Sequence, residues 1–302
     1  MEKDIAAIVV TYNRKPLLLE CIEALSQHGE EIDIFIIDNA STDGTLFELR
    51  FLIESKKIKY FNTKENLGGA GGFNYGVKQV MQEGGYKYLW LMDDDTIITS
   101  NTLPELLNAA EILQDNFGFL CSYVEWIDKA PCKMNIPDVN KEWILELCQV
   151  QKGLLCVERA TFVSFFVRRQ VVEEIGLPIK EFFIWGDDTN YSFRIIQKYP
   201  SFFVSKSVVI HKMNSNTSAN IIHDNGDRLE RYVYAYRNRF YNARIQHTLL
   251  KYFYRFAKVF VWVGLKSKNH RLKRWFYMCK GFMQGINFNP EIEYISPERR
   301  EH

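Results

Sequence analysis

The sequence predicts an α/β fold, a mainly parallel central sheet flanked by helices, followed by a helical and basic extension. Three observations carry this reading. Over the first hundred residues, short β-branched or apolar runs alternate with stretches of helical spacing, the pattern of right-handed crossovers between parallel strands. Several of these runs are apolar throughout, as strands buried on both faces are, and they stop abruptly at polar or acidic residues. Between Arg231 and Pro290, by contrast, thirteen Lys or Arg and no Asp or Glu accompany a dense aromatic pattern, whereas residues 1–230 hold 23 basic and 33 acidic residues. The expected division is therefore an α/β domain over 1–222, in halves of about 1–98 and 99–222, and the helical region over 223–302.

At 302 residues, 47% hydrophobic and 25% charged, the chain has the composition of an ordinary folded protein with a full core. The six cysteines are scattered, with no CxxC pair and no ligand spacing. Neither a zinc site nor a disulfide framework is suggested, and a reducing, cytoplasmic setting is expected. No charged-then-apolar leader opens the sequence, and no apolar run reaches the roughly 20 residues of a membrane span.

In chain order, residues 5–10 form a buried-strand run that stops at Thr11-Tyr12-Asn13, and residues 16–27 follow as a helix with Leu18, Ile22 and Leu25 on one face. Residues 32–37 are a second strand, ending in Asp38, with a helix expected over 46–55. A short third strand over 59–61 and a helix over 74–82 lead to the fourth strand, 86–92, which delivers Asp93-Asp94-Asp95. Parallel strands place their carboxyl ends along one edge, where open α/β sheets bind ligands, so Thr11, Asp38 and Asp93 are expected to converge. Three adjacent anions call for positive charge between them, and carboxylate oxygens suit Mg²⁺ or Mn²⁺. The plainer reading, an acidic turn capping the next helix, stays open. Between the third and fourth strands lies Asn66-Leu67-Gly68-Gly69-Ala70-Gly71-Gly72. Its glycines permit close approach to a ligand, with a helix start behind them that favours anions. A flexible linker is the competing reading. No Gly-Lys-Ser/Thr follows, so it is not a P-loop, and its position does not match the dinucleotide fingerprint.

In the second half, a helix is expected over 102–113, a strand over 117–124, an irregular acceptor-side insertion over 126–151 containing Pro131 and Pro137, and a strand over 159–167. The aromatic run before Trp185-Gly186-Asp187-Asp188 opens an amphipathic helix. The paired acids there either complement the helix dipole or place a carboxylate base at the rim of a sugar pocket. A strand over 202–210 ends in His211, readable as a structural histidine or as a member of the acid-lined edge. In the last region, Phe253, Phe256, Phe260 and Val263 fall at helical spacing among Lys251, Arg255, Lys258 and Lys266. Two readings follow: an interfacial helix on anionic lipid, or a helix packed on the first domain with a solvated basic face. Nucleic acid is not an expected partner, since no recognised module is present and the first 230 residues are acidic.

Taken together, Thr11-Tyr12-Asn13, Asp38-Asn39-Ala40-Ser41-Thr42-Asp43, Asn66-Leu67-Gly68-Gly69, Asp93-Asp94-Asp95, Trp185-Gly186-Asp187-Asp188 and His211 resemble, in that order, the inverting glycosyltransferase family 2 with its GT-A fold. The resemblance covers about residues 4–212. It is closest to galactofuranosyltransferases that use UDP-galactofuranose, with rhamnosyltransferases next. It implies that Thr11, Asn13 and Asp38 hold the uridine, and that Asn66, Gly68, Gly69, Gly71, Gly72, Asp93 and Asp94 line the nucleotide sugar. It implies a Mn²⁺ or Mg²⁺ ion on Asp93, Asp95 and His211, Asp188 as general base, and Trp185 and Asp187 at the acceptor. The implied acceptor is a glycan or lipid-linked glycan in cell-surface polysaccharide synthesis. The lipid reading of residues 231–290, which comes from their charge and spacing, would place the protein peripherally on the inner face of the cell membrane. Gly186 between Trp185 and the Asp pair departs from the polymerases of that class, as does the lack of their extra domains, so addition of one or a few sugars is expected. The alternatives are a dTDP-rhamnose-dependent rhamnosyltransferase and a sugar-nucleotide-binding subunit without catalysis.

Overall fold

The first strand, β1 (Ile5–Thr11), is buried along its whole length, and its side chains alternate between two cores. Ile5, Ala7 and Val9 enter one apolar cluster, and Ala6, Ile8 and Val10 the other, as period-2 geometry requires of a strand covered on both faces. The computed structural model describes residues 3–295. Residues 1–2, and 296–302 of the expected C-terminal region, lie outside the described residues. After β1 come α1 (Lys15–Ser26), β2 (Ile32–Asp38), α2 (Thr45–Glu54), β3 (Lys59–Asn62), α3 (Gly68–Glu83) and β4 (Tyr88–Asp93), with β3, β2, β1 and β4 adjacent and parallel. Their register pairs Thr11 with Asp38 and Val10 with Asp93, so these strands end on one line.

The second half adds β5 (Thr96–Ile98), α4 (Thr102–Ile112), β6 (Phe119–Glu125), β7 (Asp138–Val139), α5 (Leu147–Gln151), β8 (Leu154–Arg159), β9 (Phe165–Arg168), α6 (Arg169–Ile175), α7 (Asp187–Ile196) and β10 (Phe202–His211). The complete sheet is mixed. β9 lies antiparallel between β4 and β6, β10 runs parallel to β6, and β5 and β8 pair antiparallel with β10. Helices α1 and α4 cover one face, while α3, α6 and α7 cover the other. The single strand expected over 159–167 is two strands in different places, β8 and β9. Ala160, Phe162 and Val163 between them are as buried as the strands themselves, so hydropathy carries no sign of the break.

The glycine run is also not a loop, since α3 starts at Gly68 and the glycines form its first turns. A Cβ on Gly72 would lie 2.5 Å from Val10 Cγ1, and one on Gly76 2.5 Å from Ile8 Cγ2. These residues are small because the helix presses on β1. A Cβ on Gly69 would meet nothing within 4 Å, so that position alone of the run keeps the open side expected of a ligand-facing glycine.

The C-terminal region folds as α8 (Tyr232–Ile245), α9 (Leu249–Lys266) and α10 (Arg271–Asn287). Gly281 and Gly285 let α10 approach α8 closely: Cβ atoms there would lie 2.4 Å from the Val233 carbonyl oxygen and 2.8 Å from Phe240 Cβ. No described helix is long and apolar enough to cross a membrane. Of the stripe picked out by spacing in α9, Val263 is fully buried and Phe256 and Phe260 are partly buried against Tyr236, Phe282 and Trp275. Phe253, the first of the stripe, is exposed; the other three form the packing face of the helix. Spacing selects it because it is the most aromatic side of a helix that is apolar on two sides.

Candidate functional site

At the end of β4 the chain turns and returns as β5, whose Thr96 pairs with His211 at the end of β10. This pairing brings His211 Nε2 to 3.0 Å from Asp95 Oδ1. Asp93, Asp95 and His211 each present a ligand atom within 4.8 Å of the others. Asp94 points elsewhere. Its carboxylate accepts the Thr11 hydroxyl at 2.7 Å and Arg14 Nη1 at 3.3 Å. Arg14 also donates to Asp95 Oδ2 at 2.6 Å, so part of the positive charge that the acid triplet requires is supplied by the chain.

Burial dominates the titration of this group. It lifts the carboxyl of Asp94 to about 6 against the opposing charge of Arg14, and it raises Asp93, where Asp95 adds repulsion. For Asp95 burial is outweighed by the hydrogen bond and charge of His211 and by Arg14, and its carboxyl stays below the usual range. Burial alone would lower His211, but the bonds to Asp95 and Cys132 and the acid charges lift it to about 10. Two basic groups, Arg14 and His211, thus face three carboxyls.

The other ring nitrogen of His211 donates to Asn135 Oδ1 at 2.8 Å, while Asn135 Nδ2 donates to Thr161 Oγ1 at 2.8 Å. Asn135 and Cys132 are buried and lie in the segment that the sequence reads as an irregular acceptor-side insertion. They are its link to the site. The Nδ1–Asn135 bond turns Nε2 toward the acids, the arrangement of a ligating imidazole with an outer-shell partner. Two carboxylates and one imidazole form a donor set that a divalent cation such as Mn²⁺ or Mg²⁺ fits.

Around the end of β2, Asp38 is buried, with one oxygen accepting the Ser41 N–H at 2.8 Å and the other the Tyr60 hydroxyl. Asn13, at φ 53°, accepts the Thr42 N–H at 2.7 Å through Oδ1. Asn66 Oδ1 accepts the Gly68 N–H at 2.9 Å, and Asn39 Nδ2 donates to the Gly68 carbonyl at 3.0 Å. Thr11, Asn13, Asp38 and the α3 start are thus tied into one edge.

The second acidic group opens α7. Phe183, Trp185 and Gly186 all have positive φ, at 61°, 64° and 91°, a run of conformations that surrounding structure must hold. Asn238 of α8 holds it: its Nδ2 donates to the carbonyls of Phe182, Ile184 and Trp185 at 2.9, 3.1 and 2.8 Å. One turn on, Asn242 Nδ2 donates to the Gly186 carbonyl at 2.9 Å, and its Oδ1 accepts Asn190 Nδ2 at 3.1 Å. The loop also touches the glycine helix, where the Ala70 N–H donates to the Phe183 carbonyl at 3.2 Å. A Cβ on Gly68 would lie 2.1 Å from that same oxygen. Trp185 packs on Tyr232 of the C-terminal region at 5.2 Å between ring centroids.

This loop presents Asp187, buried, and Asp188, half-buried, at the helix start. Asp188 Oδ1 accepts the Thr189 N–H at 2.6 Å, and Oδ2 has no hydrogen bond among the described residues. Burial raises both carboxyls. The Asp188 charge adds to the rise at Asp187, and Arg159 opposes it at Asp188. Arg159 is fixed by paired bonds to Asp138, at 2.7 and 2.9 Å.

Sequence reasoning therefore found the acids, the histidine and the strand ends, and missed Arg14, Tyr60, Asn135, Asn238 and Asn242. The signal for the last two was present: two asparagines four apart in an aromatic helix occupy one face.

Residues 6–129 match the family model for glycosyl transferase family 2. The chain is 25% identical over 207 residues to galactofuranosyltransferase GlfT1 of Mycolicibacterium smegmatis, an alignment covering 64% of this chain and 65% of that protein, just short of two thirds of the relative's length. Among solved structures, residues 1–349 of S. aureus TarS superpose with a TM-score of 0.59 at 16% identity, over 94% of this chain and 81% of the other. GalNAc-T7 with UDP, GalNAc and Mn²⁺ gives a TM-score of 0.57 at 16% identity, over 82% of this chain and 52% of the other. At those identities the structural likeness speaks for the GT-A fold. Residues 6–129 thus resemble the family 2 glycosyltransferases in sequence, and over nearly all of its length the chain shares the GT-A fold of its structural neighbours.

Proposed function

We propose that the protein transfers galactofuranose from UDP-galactofuranose to a glycan or lipid-linked glycan acceptor, with inversion at the anomeric carbon and with a divalent cation bound. The observation that carries the reading is the pairing, within one fold, of a cation-fit cluster, Asp93, Asp95 and His211 within 4.8 Å, with an acid pair held on a separate rigid loop at Asp187 and Asp188. The donor assignment is supported by the likeness to GlfT1, and the nucleotide by neighbours whose structures hold UDP.

Asp188, through its free Oδ2, takes the proton of the acceptor hydroxyl as that oxygen attacks the anomeric carbon. The bond from that carbon to the diphosphate oxygen breaks on the opposite face, so one displacement inverts the centre and releases UDP and a proton. Asp93, Asp95 and His211 would hold the cation, which when bound would neutralise charge on the diphosphate leaving group. Thr11, Asn13 and Asp38, with the edge formed by Asn66, Gly69 and Asp94, position the nucleotide sugar; Gly69 is the open point of that edge, while Gly68, Gly71 and Gly72, expected to line the donor, serve instead the close packing of the helix start on Phe183, Leu67 and Val10. Trp185 and Asp187 border the acceptor. In this reading residues 1–222 are the catalytic domain, and the region from 223 onward braces its loop.

The test is nucleoside diphosphate release by the purified protein with Mn²⁺ or Mg²⁺, and again with chelator, across UDP-galactofuranose, UDP-galactopyranose, UDP-glucose and dTDP-rhamnose. Metal-dependent turnover of UDP-galactofuranose alone is expected. Release from dTDP-rhamnose alone would replace the donor and keep the chemistry.

A further inference from the structure

We infer that α9 and α10 form an antiparallel hairpin whose outer face is a membrane-docking surface for anionic lipid, with apolar stripes at its centre and basic residues along both outer edges. This surface is independent of the donor and of the chemistry at the sheet edge.

The seam between the helices fixes the geometry. Phe260 stacks on Trp275 at 5.2 Å and Phe256 meets Phe282 at 5.2 Å, pairings that advance along one helix as they retreat along the other. At about 100° per residue, α9 then divides into three sectors. Tyr252, Phe256, Val259 and Val263 face the protein. Leu250, Tyr254, Val261 and Leu265 follow one another on the open side, with Leu250 87% and Leu265 74% exposed. Lys251, Arg255, Lys258 and Lys266 fill the third sector, and Lys258 and Lys266 lie over the Trp262 ring at 4.6 and 4.3 Å. Helix α10 repeats the arrangement. Arg274, Met278, Gly281 and Gly285 are buried, Leu272, Phe276 and Met283 are exposed in a stripe, and Lys273 and Lys280 lie beside them.

In each helix the exposed stripe lies roughly a quarter-turn beyond the seam, in the sense in which the chain winds. Because the helices are antiparallel, equal rotations in opposite chain directions bring both stripes to the same side of the hairpin. The basic sectors, a further quarter-turn on, fall at its two outer edges. The result is a flat apolar strip about 27 Å long with cations on each flank.

Charge complementarity selects lipid as the occupant. The helices themselves carry basic residues and no acid, since residues 231–290 contain none; the acids near their flanks, Asp138 beside Lys251 and Arg255 and Glu230 beside Tyr277, belong to other elements. The basic excess complements anionic headgroups while long basic side chains lie along the apolar boundary. Opposite the strip, α10 packs on α8, whose Asn238 and Asn242 hold the Asp187–Asp188 loop, so docking sets that loop at a defined height above the surface.

The experiment is flotation of the full chain with vesicles of phosphatidylcholine alone and of phosphatidylcholine mixed with phosphatidylglycerol, at low and high salt. Binding to the mixed vesicles only, weakened by salt, is expected. Replacing Lys251, Lys258 and Lys273 together by Gln is expected to weaken it on the order of a hundredfold at low salt. The pair Leu265→Glu and Leu272→Glu is expected to weaken it by about tenfold or more. These side chains are exposed, so melting temperature and UDP affinity stay those of the parent protein. No binding, equal binding to neutral vesicles, or unchanged binding by the Leu265→Glu, Leu272→Glu variant would overturn the inference. So would a dimer, seen by light scattering without vesicles, that this variant dissolves while vesicle binding is absent.

Discussion

Asp93, Asp94 and Asp95 sit among cations and donors, with Arg14, His211 and the Thr11 hydroxyl all within hydrogen-bond reach. Asp187 and Asp188 make no ion pair among the described residues, and their order comes from asparagines that grip the backbone beneath them. The difference follows from what each cluster is suited to do. A group that balances a cation is served by charged carboxylates, and the opposite charges around it work against the burial that raises Asp93 and Asp94. A proton acceptor is weakened by a tight cationic partner, because pairing lowers its basicity. Holding the loop through its carbonyls fixes the position of Asp188 without lowering its pKa.

The sharpest way to break this contrast is Asp188→Asn. On the proposed reading it lowers transfer by about 10² to 10⁴, while metal-dependent UDP binding, measured by calorimetry, stays within a few-fold. Transfer at the parent rate would remove Asp188 from the chemistry.

Next is the grip itself. Asn238→Leu leaves the carbonyls of Phe182, Ile184 and Trp185 without their shared donor, a loss of roughly 1–3 kcal/mol for buried polar groups. A lower melting temperature and a fall in kcat are expected, with UDP affinity little changed because the cation-fit cluster is built on other elements. Equal losses in kcat and UDP affinity would mean that the two clusters are not separately supported.

The cation-fit cluster has its own support in Asn135. Asn135→Leu removes the acceptor for His211 Nδ1–H and is expected to weaken Mn²⁺ binding roughly 10- to 100-fold. Asn135→Asp keeps an acceptor oxygen and should restore most of it. If both variants bind Mn²⁺ equally poorly, Asn135 serves the packing of its segment and not the orientation of the imidazole.

These supports also mark the limit of what the sequence discloses. Strand ends were legible because β1, β2 and β4 are apolar on both faces and stop at polar residues, and parallel pairing then places Thr11, Asp38 and Asp93 on one line. His211 was legible for the same reason, although its neighbour Asp95 comes from a short antiparallel return, β5, that spacing does not signal. The glycine run was seen but misassigned in form. Glycines in a helix that presses on a strand and glycines in a ligand loop look alike when the neighbour is unknown, and only the contact of Gly72 with Val10 separates them. Asn135, Asn238 and Asn242 were not found because their roles lie in bonds 52 to 76 residues away. An asparagine whose decisive partner is distant in sequence reads as surface until the fold brings that partner to it.

The smallest expected effect tests the electrostatic side of the contrast. Burial raises the Asp188 carboxyl, and the nearby charge of Arg159 is the largest influence opposing that rise. In its proposed role as base Asp188 would act when deprotonated, so kcat/KM is expected to fall as pH drops through its pKa. Arg159→Gln removes the opposing charge, raises that pKa further, and should move the acid limb to higher pH, leaving the plateau above it unchanged. Asp138→Asn removes an anion that also raises Asp188 while leaving the Arg159 charge in place, so its limb should move the other way. Opposite shifts from two residues bonded to each other at 2.7 and 2.9 Å are hard to produce by disturbing the loop, which would move both in one direction. A limb that stays fixed in both variants would assign the acid limb to a group other than Asp188.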